Sequence, residues 1–476
     1  MLCGLRWLRG DSNSQRKDGS VVGARVAIRR YSRSLSLDPS VKSEFTWLHE
    51  SNIPTSEVLV FDYVTTDRMD PLLLAELKQH GVELVGSGPG VPRWVPTMTM
   101  VGVLMPIVLK LAAGWLVSVV RLRWVPLFYL LAMGRLALEF SFYYDMFKNF
   151  QVRTLVNHHS NGQVSQVLAV DALQGVSASF QYSAAIVLYG GSYLTAGEDV
   201  QFTFSKMFDE LWHSIDAPNR CYVNVGFYPT PAKYVRDTKR PEGLRRGLHE
   251  CGARYVICYC DESTSDNWDS RGVNDIAIRD YRFLLNWMIE DASLGMVFKP
   301  KKPASIFQRI GVLEDLIEEA TASGRCVFLT GGHDQFITEA ALAADLCVGH
   351  MAGTTSALEA HFAGVPSVVM NTDNWQHPYR QLLDGIVYDD WPSLRQSVEE
   401  FRSTPSRGLH FGSWPAGIEQ LDPFRDCMGG ERIGAFVGAV HDALKRGGSK
   451  QVALEAATAQ YSSEWGEENI KVKPVS

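Results

Sequence analysis

Apolar residues recur along this chain in short continuous runs separated by segments with helical spacing. That is the pattern of strands buried on both faces of a parallel sheet and of the helices that cover them. In the first half, residues 57–63, 82–85, 152–156 and 176–182 read as strands, with helices expected over 70–80, 163–174 and 197–211 and a further strand over 221–226. The second half repeats the rhythm more clearly. Strands at 254–260, 295–299, 325–330, 346–349 and 367–370 alternate with helices at 274–291, 304–322, 335–344 and 355–363. Such alternation predicts an α/β chain of two Rossmann-like, doubly wound domains facing across a cleft. The expected division is a basic flexible tail at 1–45, a first domain at 46–240, a second at 241–430, and a C-terminal helix and tail at 431–476.

One segment breaks the rhythm. No Asp or Glu occurs from Val85 to Leu138, and Val101 to Val120 is interrupted only by Lys110. The run is long enough to cross a bilayer, but Pro106 and Lys110 lie inside it, and the following apolar stretch, Trp124 to Met133, is too short to return. Arg93, Arg121, Arg123 and Arg135 with Trp94, Trp115 and Trp124 suit helices lying in the interface of an anionic membrane, so 93–138 is expected to be a membrane-contact insert. A buried helical hairpin and a single span are the alternatives.

Composition narrows the classes. The 476 residues are 46% hydrophobic and carry a net charge of −7, which fits a globular chain and excludes nucleic-acid binding through net positive charge. Basic residues gather in 1–45, which carries +5 and leaves −12 for the remainder. No apolar stretch follows those basic residues, so no signal peptide is expected. Eight cysteines form no C-x-x-C pair, and Cys258, Cys260, Cys326 and Cys347 fall in strand-like runs. They read as reduced core thiols, not as disulfides or a zinc site.

The stretch from Ala344 to Val369 carries the most chemistry. A strand delivers a small polar loop onto a helix, where Gly353 admits a phosphate close to the backbone and Thr354, Thr355 and Ser356 add donors. Glu359, one turn into the helix, is placed either to accept from ribose hydroxyls or to close a capping box with Ser356. Lys299 ends a strand where a phosphate would lie, and Gly331-Gly332-His333 ends another.

Strand, small-residue loop, T-S-A-L-E-A and then G-V-P resemble the donor-nucleotide signature of GT-B glycosyltransferases, including those of capsule and other surface-polysaccharide synthesis. The resemblance covers mainly residues 250–385. It implies a GT-B fold, with donor nucleotide held by Lys299, His333, Gly353, Thr354, Thr355, Ser356 and Glu359, and donor sugar by Gln376 and His377. The nucleotide-sugar is then a substrate, with no cofactor and no metal, because lysine and helix dipole neutralise the leaving phosphate and no D-x-D occurs. An inverting transfer needs a base from the opposite half. His158 and His159, at the carboxyl end of a strand, are the candidates, with His159 further into the loop. Many surface-polysaccharide transferases have a Gln-His-Gly-like sequence where this chain has Gln181-Tyr182-Ser183, so Tyr182 and Asp171 stand only in reserve.

The reading is a metal-independent glycosyltransferase moving a sugar from a nucleotide donor to a lipid-linked or other glycan acceptor, peripheral on the inner face of the cytoplasmic membrane. A nucleotide-sugar 2-epimerase of the same fold and an inert polysaccharide-assembly scaffold are the alternatives.

Overall fold

The computed structural model describes residues 24–30, 37–38, 45, 47–62, 71–86, 91–120, 127–157, 164–181, 183–184, 197–209, 219–228, 232–262, 264, 274–330, 336–375, 380–404, 411–414 and 416–473. His158, His159, Tyr182, His333, Gln376 and His377 lie outside them.

The strands gather into two sheets. In chain order the first sheet contains β1 (Arg25–Arg29), β2 (Val58–Asp62), β3 (Glu83–Gly86), β4 (Val152–Asn157), β5 (Val176–Phe180), β6 (Val200–Thr203) and β7 (Cys221–Asn224). The second contains β8 (Tyr255–Cys260), β9 (Leu294–Lys299), β10 (Cys326–Phe328), β11 (Leu346–His350), β12 (Ser367–Met370) and β13 (Val387–Tyr388), and β14 (Ile470–Val472) returns to the first. The first sheet runs β14-β7-β6-β5-β4-β1-β2-β3 and the second β10-β9-β8-β11-β12-β13. All neighbours pair in parallel except β14, which is antiparallel to β7. Each sheet therefore grows outward from its first strand in both directions, the doubly wound order, with a switch point between β1 and β4 in one half and between β8 and β11 in the other.

Five expectations are corrected. Residues 25–29 are not tail: β1 is central, with Val26 and Ile28 packed into one core and Ala27 into the core on the other face. The flanking Arg25, Arg29 and Arg30 conceal a strand of ordinary period two. Val200–Thr203 is a strand where a helix was expected, because Val200 and Phe202 enter the apolar core while Gln201 accepts from Ser179 Oγ at 2.7 Å. The helix expected over 304–322 breaks into short turns before Glu314–Ala322, and a sixth strand, Val387–Tyr388, follows the five expected in the second half. The C-terminal residues are no appendage either. Helices Gly429–Lys445 and Lys450–Trp465 pack on the first sheet, where Phe436 meets Phe202 and Lys450 Nζ lies 2.7 Å from Asp199.

The insert forms two helices, Met98–Val120 and Leu127–Asn149. The second is docked on the sheet, with Tyr143, Met146 and Phe147 buried against Phe61 and Leu155. Its buried Asp145 accepts from Trp94 Nε1 at 3.1 Å, from Thr97 N at 2.9 Å and from Thr97 Oγ1, and so pins the start of the first helix. Beyond that anchor the first helix leaves the core: no residue of Met98–Leu116 is buried. The buried-hairpin alternative is thereby overturned for this helix.

If β1 is structural, Ile28→Ala should lower the free energy of unfolding by about 2–5 kcal/mol, read by urea denaturation. No change would return these residues to a tail.

Candidate functional site

At the switch point of the second sheet, β8 and β11 send their continuing chains apart, and the carboxyl ends of both face one recess. From β8 come Asp261 and Glu262, and from β11 the turn His350 to Thr354. That turn is tightly closed. The Gly353 and Thr354 amides both donate to the His350 carbonyl, at 2.9 and 2.7 Å, and Thr354 Oγ1 donates to Met351 O at 2.7 Å. These bonds hold Thr354 at φ 22°, ψ −33°, a left-handed setting that is costly for a β-branched residue. The Thr355–Phe362 helix starts there, and its close fit on β11 depends on Gly349, where a Cβ would stand 2.7 Å from Ser356 Oγ.

The open face of Gly353 meets a carboxylate of the chain itself. A Cβ there would lie 1.5 Å from Glu262 Oε1, and Glu262 Oε2 accepts from Lys301 Nζ at 2.6 Å. Thr354 spends its hydroxyl inside the turn. Thr355 Oγ1 accepts from the Ala184 amide at 3.0 Å and lies 3.0 Å from Ser183 Oγ, so it ties this loop to the segment after β5 of the first half. Glu359 is buried and its Oε1 accepts from Thr338 N at 3.0 Å and Thr338 Oγ1 at 2.9 Å. It thus caps the neighbouring Ile337–Leu342 helix, and its own helix has no side-chain cap. Lys299 is buried at the end of β9. The structure brings Lys299, Gly353, Thr354, Thr355, Ser356 and Glu359 to one end of the second sheet.

Sequence reasoning places Asp261 and Glu262, which end the first strand of this half, at the floor of this recess, but it missed Asp280 and Asp373. Asp261, Glu262, Asp280 and Asp373 line it around the buried His350. His350 Nδ1 faces the Ala352 amide at 3.4 Å, which turns Nε2 toward Asp373 Oδ2 at 3.3 Å, an ion-pair distance without hydrogen-bond alignment. Burial alone would lower the His350 pKa. Asp373, Asp280 and Glu262 outweigh it and raise the value above the ordinary one. Burial pushes the Asp261 carboxyl up to about 6 against the opposing Arg309 guanidinium, whose Nη2 is 3.0 Å away. Arg309, Arg279 and Lys301 balance the recess. His350 stood within the stretch already singled out; Asp280 and Asp373 come from other elements and share no spacing with it.

The first sheet's switch point holds a second unexpected group. Asn157, the last residue of β4 and the one before His158, donates from Nδ2 to Glu198 Oε1 at 3.0 Å. Burial pushes the Glu198 carboxyl up to about 7, opposed by this hydrogen bond and by Arg29. It is a group able to hold or release a proton near neutrality. Its place in a run expected to be helical hid it.

No protein-family model matches the chain, and no curated protein matches it. Solved structures match nearly its whole length at low identity. HepE from Anabaena with UDP is 11% identical over 92% of this chain and 100% of its own, with a TM-score of 0.45. MnaA from S. aureus with UDP is 12% identical over 87% and 95%, with a TM-score of 0.49. The UDP-N-acetylglucosamine 2-epimerase of Rickettsia bellii is 10% identical over 93% and 99%, with a TM-score of 0.46. The fold is two Rossmann-like parallel-sheet halves. The strand orders establish it, and it is the architecture expected of a GT-B chain.

The raised Glu198 pKa has a stability consequence. Folded protein keeps a proton that the unfolded chain loses above its ordinary value of 4.5, so this group's contribution falls as pH rises from about 4.5 to about 7. Glu198→Gln should therefore be stabilised relative to wild type at alkaline pH and not at acid pH. Denaturant midpoints that differ equally at both would contradict the assignment. Asp209, pushed up to about 7 by burial, titrates over much the same range in both proteins and cancels in the comparison.

Proposed function

We propose that the chain is a glycosyltransferase that takes a sugar from a nucleotide donor seated at the second switch point and passes it to a lipid-linked acceptor of surface-polysaccharide synthesis. The observation that carries this reading is the strained turn from Gly353 to Thr354, which starts the Thr355–Phe362 helix at the carboxyl end of β11, beside the switch point between β8 and β11. Backbone amides and the helix dipole stabilise a diphosphate without metal, Lys299 adds charge, and Glu359 belongs to the ribose side. Because the Thr354 and Thr355 hydroxyls and the Gly353, Thr354 and Thr355 amides are already engaged, the helix amides that follow Thr355 are assigned the phosphate contacts.

His158 and His159 follow Asn157 at the opposite switch point, where a general base for the acceptor hydroxyl belongs. The donor sugar is assigned to the loop carrying Gln376 and His377. The outward apolar helix favours work on the inner face of the cytoplasmic membrane: Leu109 and Leu116 are exposed on it, and Lys110 interrupts them.

UDP-sugars are the first donors to test, UDP being the nucleotide in the HepE and MnaA complexes. A donor at a hundred times its Kd should stabilise the chain by about 2.7 kcal/mol, and labelled sugar should then enter a lipid extract. Conversion of the donor's sugar without an acceptor would select the epimerase, and stabilisation by no nucleotide would remove the whole reading. Leu109→Glu with Leu116→Glu should release the chain from anionic vesicles in a flotation assay while donor stabilisation persists. Retained flotation would contradict the membrane role.

A further inference from the structure

Behind the second switch point, three thiols from two strands converge. Cys258 and Cys260 alternate on β8 and face the same way, and Cys347 on β11 is the register partner of Cys258. All three are buried, and their sulfur atoms lie within 4.8 Å of one another, with Cys258 Sγ and Cys260 Sγ at 3.9 Å. A metal with sulfur ligands at about 2.3 Å requires sulfur pairs about 3.8–4.0 Å apart in a tetrahedral or trigonal arrangement. The triangle is therefore already close to the size of a metal site.

Charge makes the same point. On the neighbouring strand β9, Lys299 is the register partner of Cys260, so an ammonium stands beside the thiols. Three thiolates, one divalent ion and this ammonium together carry no net charge, which is the condition for burying such a group among Val256, Val297, Ala340, Ala360 and Val365. Sulfur ligands and a small buried triangle select a soft cation over magnesium or calcium.

We propose that Cys258, Cys260 and Cys347 form a structural trithiolate site for zinc, clamping together the two strands that diverge at the second switch point. The site is not announced by spacing, because the third ligand comes from a strand far along the chain. Binding replaces three S–H bonds by three metal–sulfur bonds and releases three protons to solvent, with no change of oxidation state. Buried ligands acquire their ion as the sheet closes, so metal must be present during folding. The inference shares Lys299 with the proposed donor site, but its metal readout does not depend on transferase activity.

The test uses the reduced full-length chain expressed in zinc-supplemented medium and freed of loosely held metal. Atomic emission should find one zinc per chain in wild type and in Cys251→Ala, whose cysteine is exposed, and none in Cys258→Ala or Cys347→Ala. Zinc-free wild type, or zinc retained in Cys347→Ala, would overturn the proposal and leave the thiols as core packing. Should the alanine variants fail to fold, X-ray absorption at the zinc edge of wild type decides. Sulfur neighbours at about 2.3 Å support the site, and a shell of nitrogen and oxygen overturns it.

Discussion

The closed turn after β11 sets the conditions for everything around it. Two amides converge on one carbonyl, that of His350, and the Thr354 hydroxyl returns to Met351, so the chain reverses within a few residues. A non-glycine residue in such a setting costs about 1–3 kcal/mol, and the bonds that hold it contribute about 1 kcal/mol each. The strain is thus sustained by local hydrogen bonding. Its products are a helix start beside the switch point, a glycine whose bare face meets a carboxylate, and a Thr355 hydroxyl that reaches the first half.

The electrostatics of the recess follow from that geometry. Asp261, Glu262, Asp280 and Asp373 crowd one side of the recess around His350, while Lys299 and the start of the Thr355–Phe362 helix stand at the same end of the sheet. Arg309 and Arg279 hold the acidic wall at 3.0 Å from Asp261 and 3.1 Å from Asp280. Glu262 stands between the two sides, against Gly353 and paired with Lys301. On the proposed reading, a diphosphate at the turn competes with this carboxylate for the open face of Gly353.

Much of this was legible in the sequence because period and punctuation are local. The second half's strands were readable from their continuous apolar runs, and the turn from a strand, small residues and a helix start. What was not legible depended on partners distant in sequence. The Arg residues around Val26 and Ile28 obscured a central strand that only β2 and β4 make necessary. Glu359 could be placed one turn into its helix, but its partner Thr338 belongs to a different one. Glu198 gains its raised pKa from burial beside Asn157, which spacing does not encode. The cysteines were recognised as core residues, while their convergence required the pairing of β8 with β11.

The central claim is that the donor's phosphates seat against the open face of Gly353, at the start of the Thr355–Phe362 helix. Calorimetric titration of a UDP-sugar into wild type and Gly353→Ala tests it most directly, because a Cβ there occupies the approach path while the far end of the flexible Glu262 side chain can move aside and preserve the fold. The account predicts at least about a tenfold loss of affinity, or 1.4 kcal/mol, with the melting temperature retained. Equal affinity in the two proteins would contradict it.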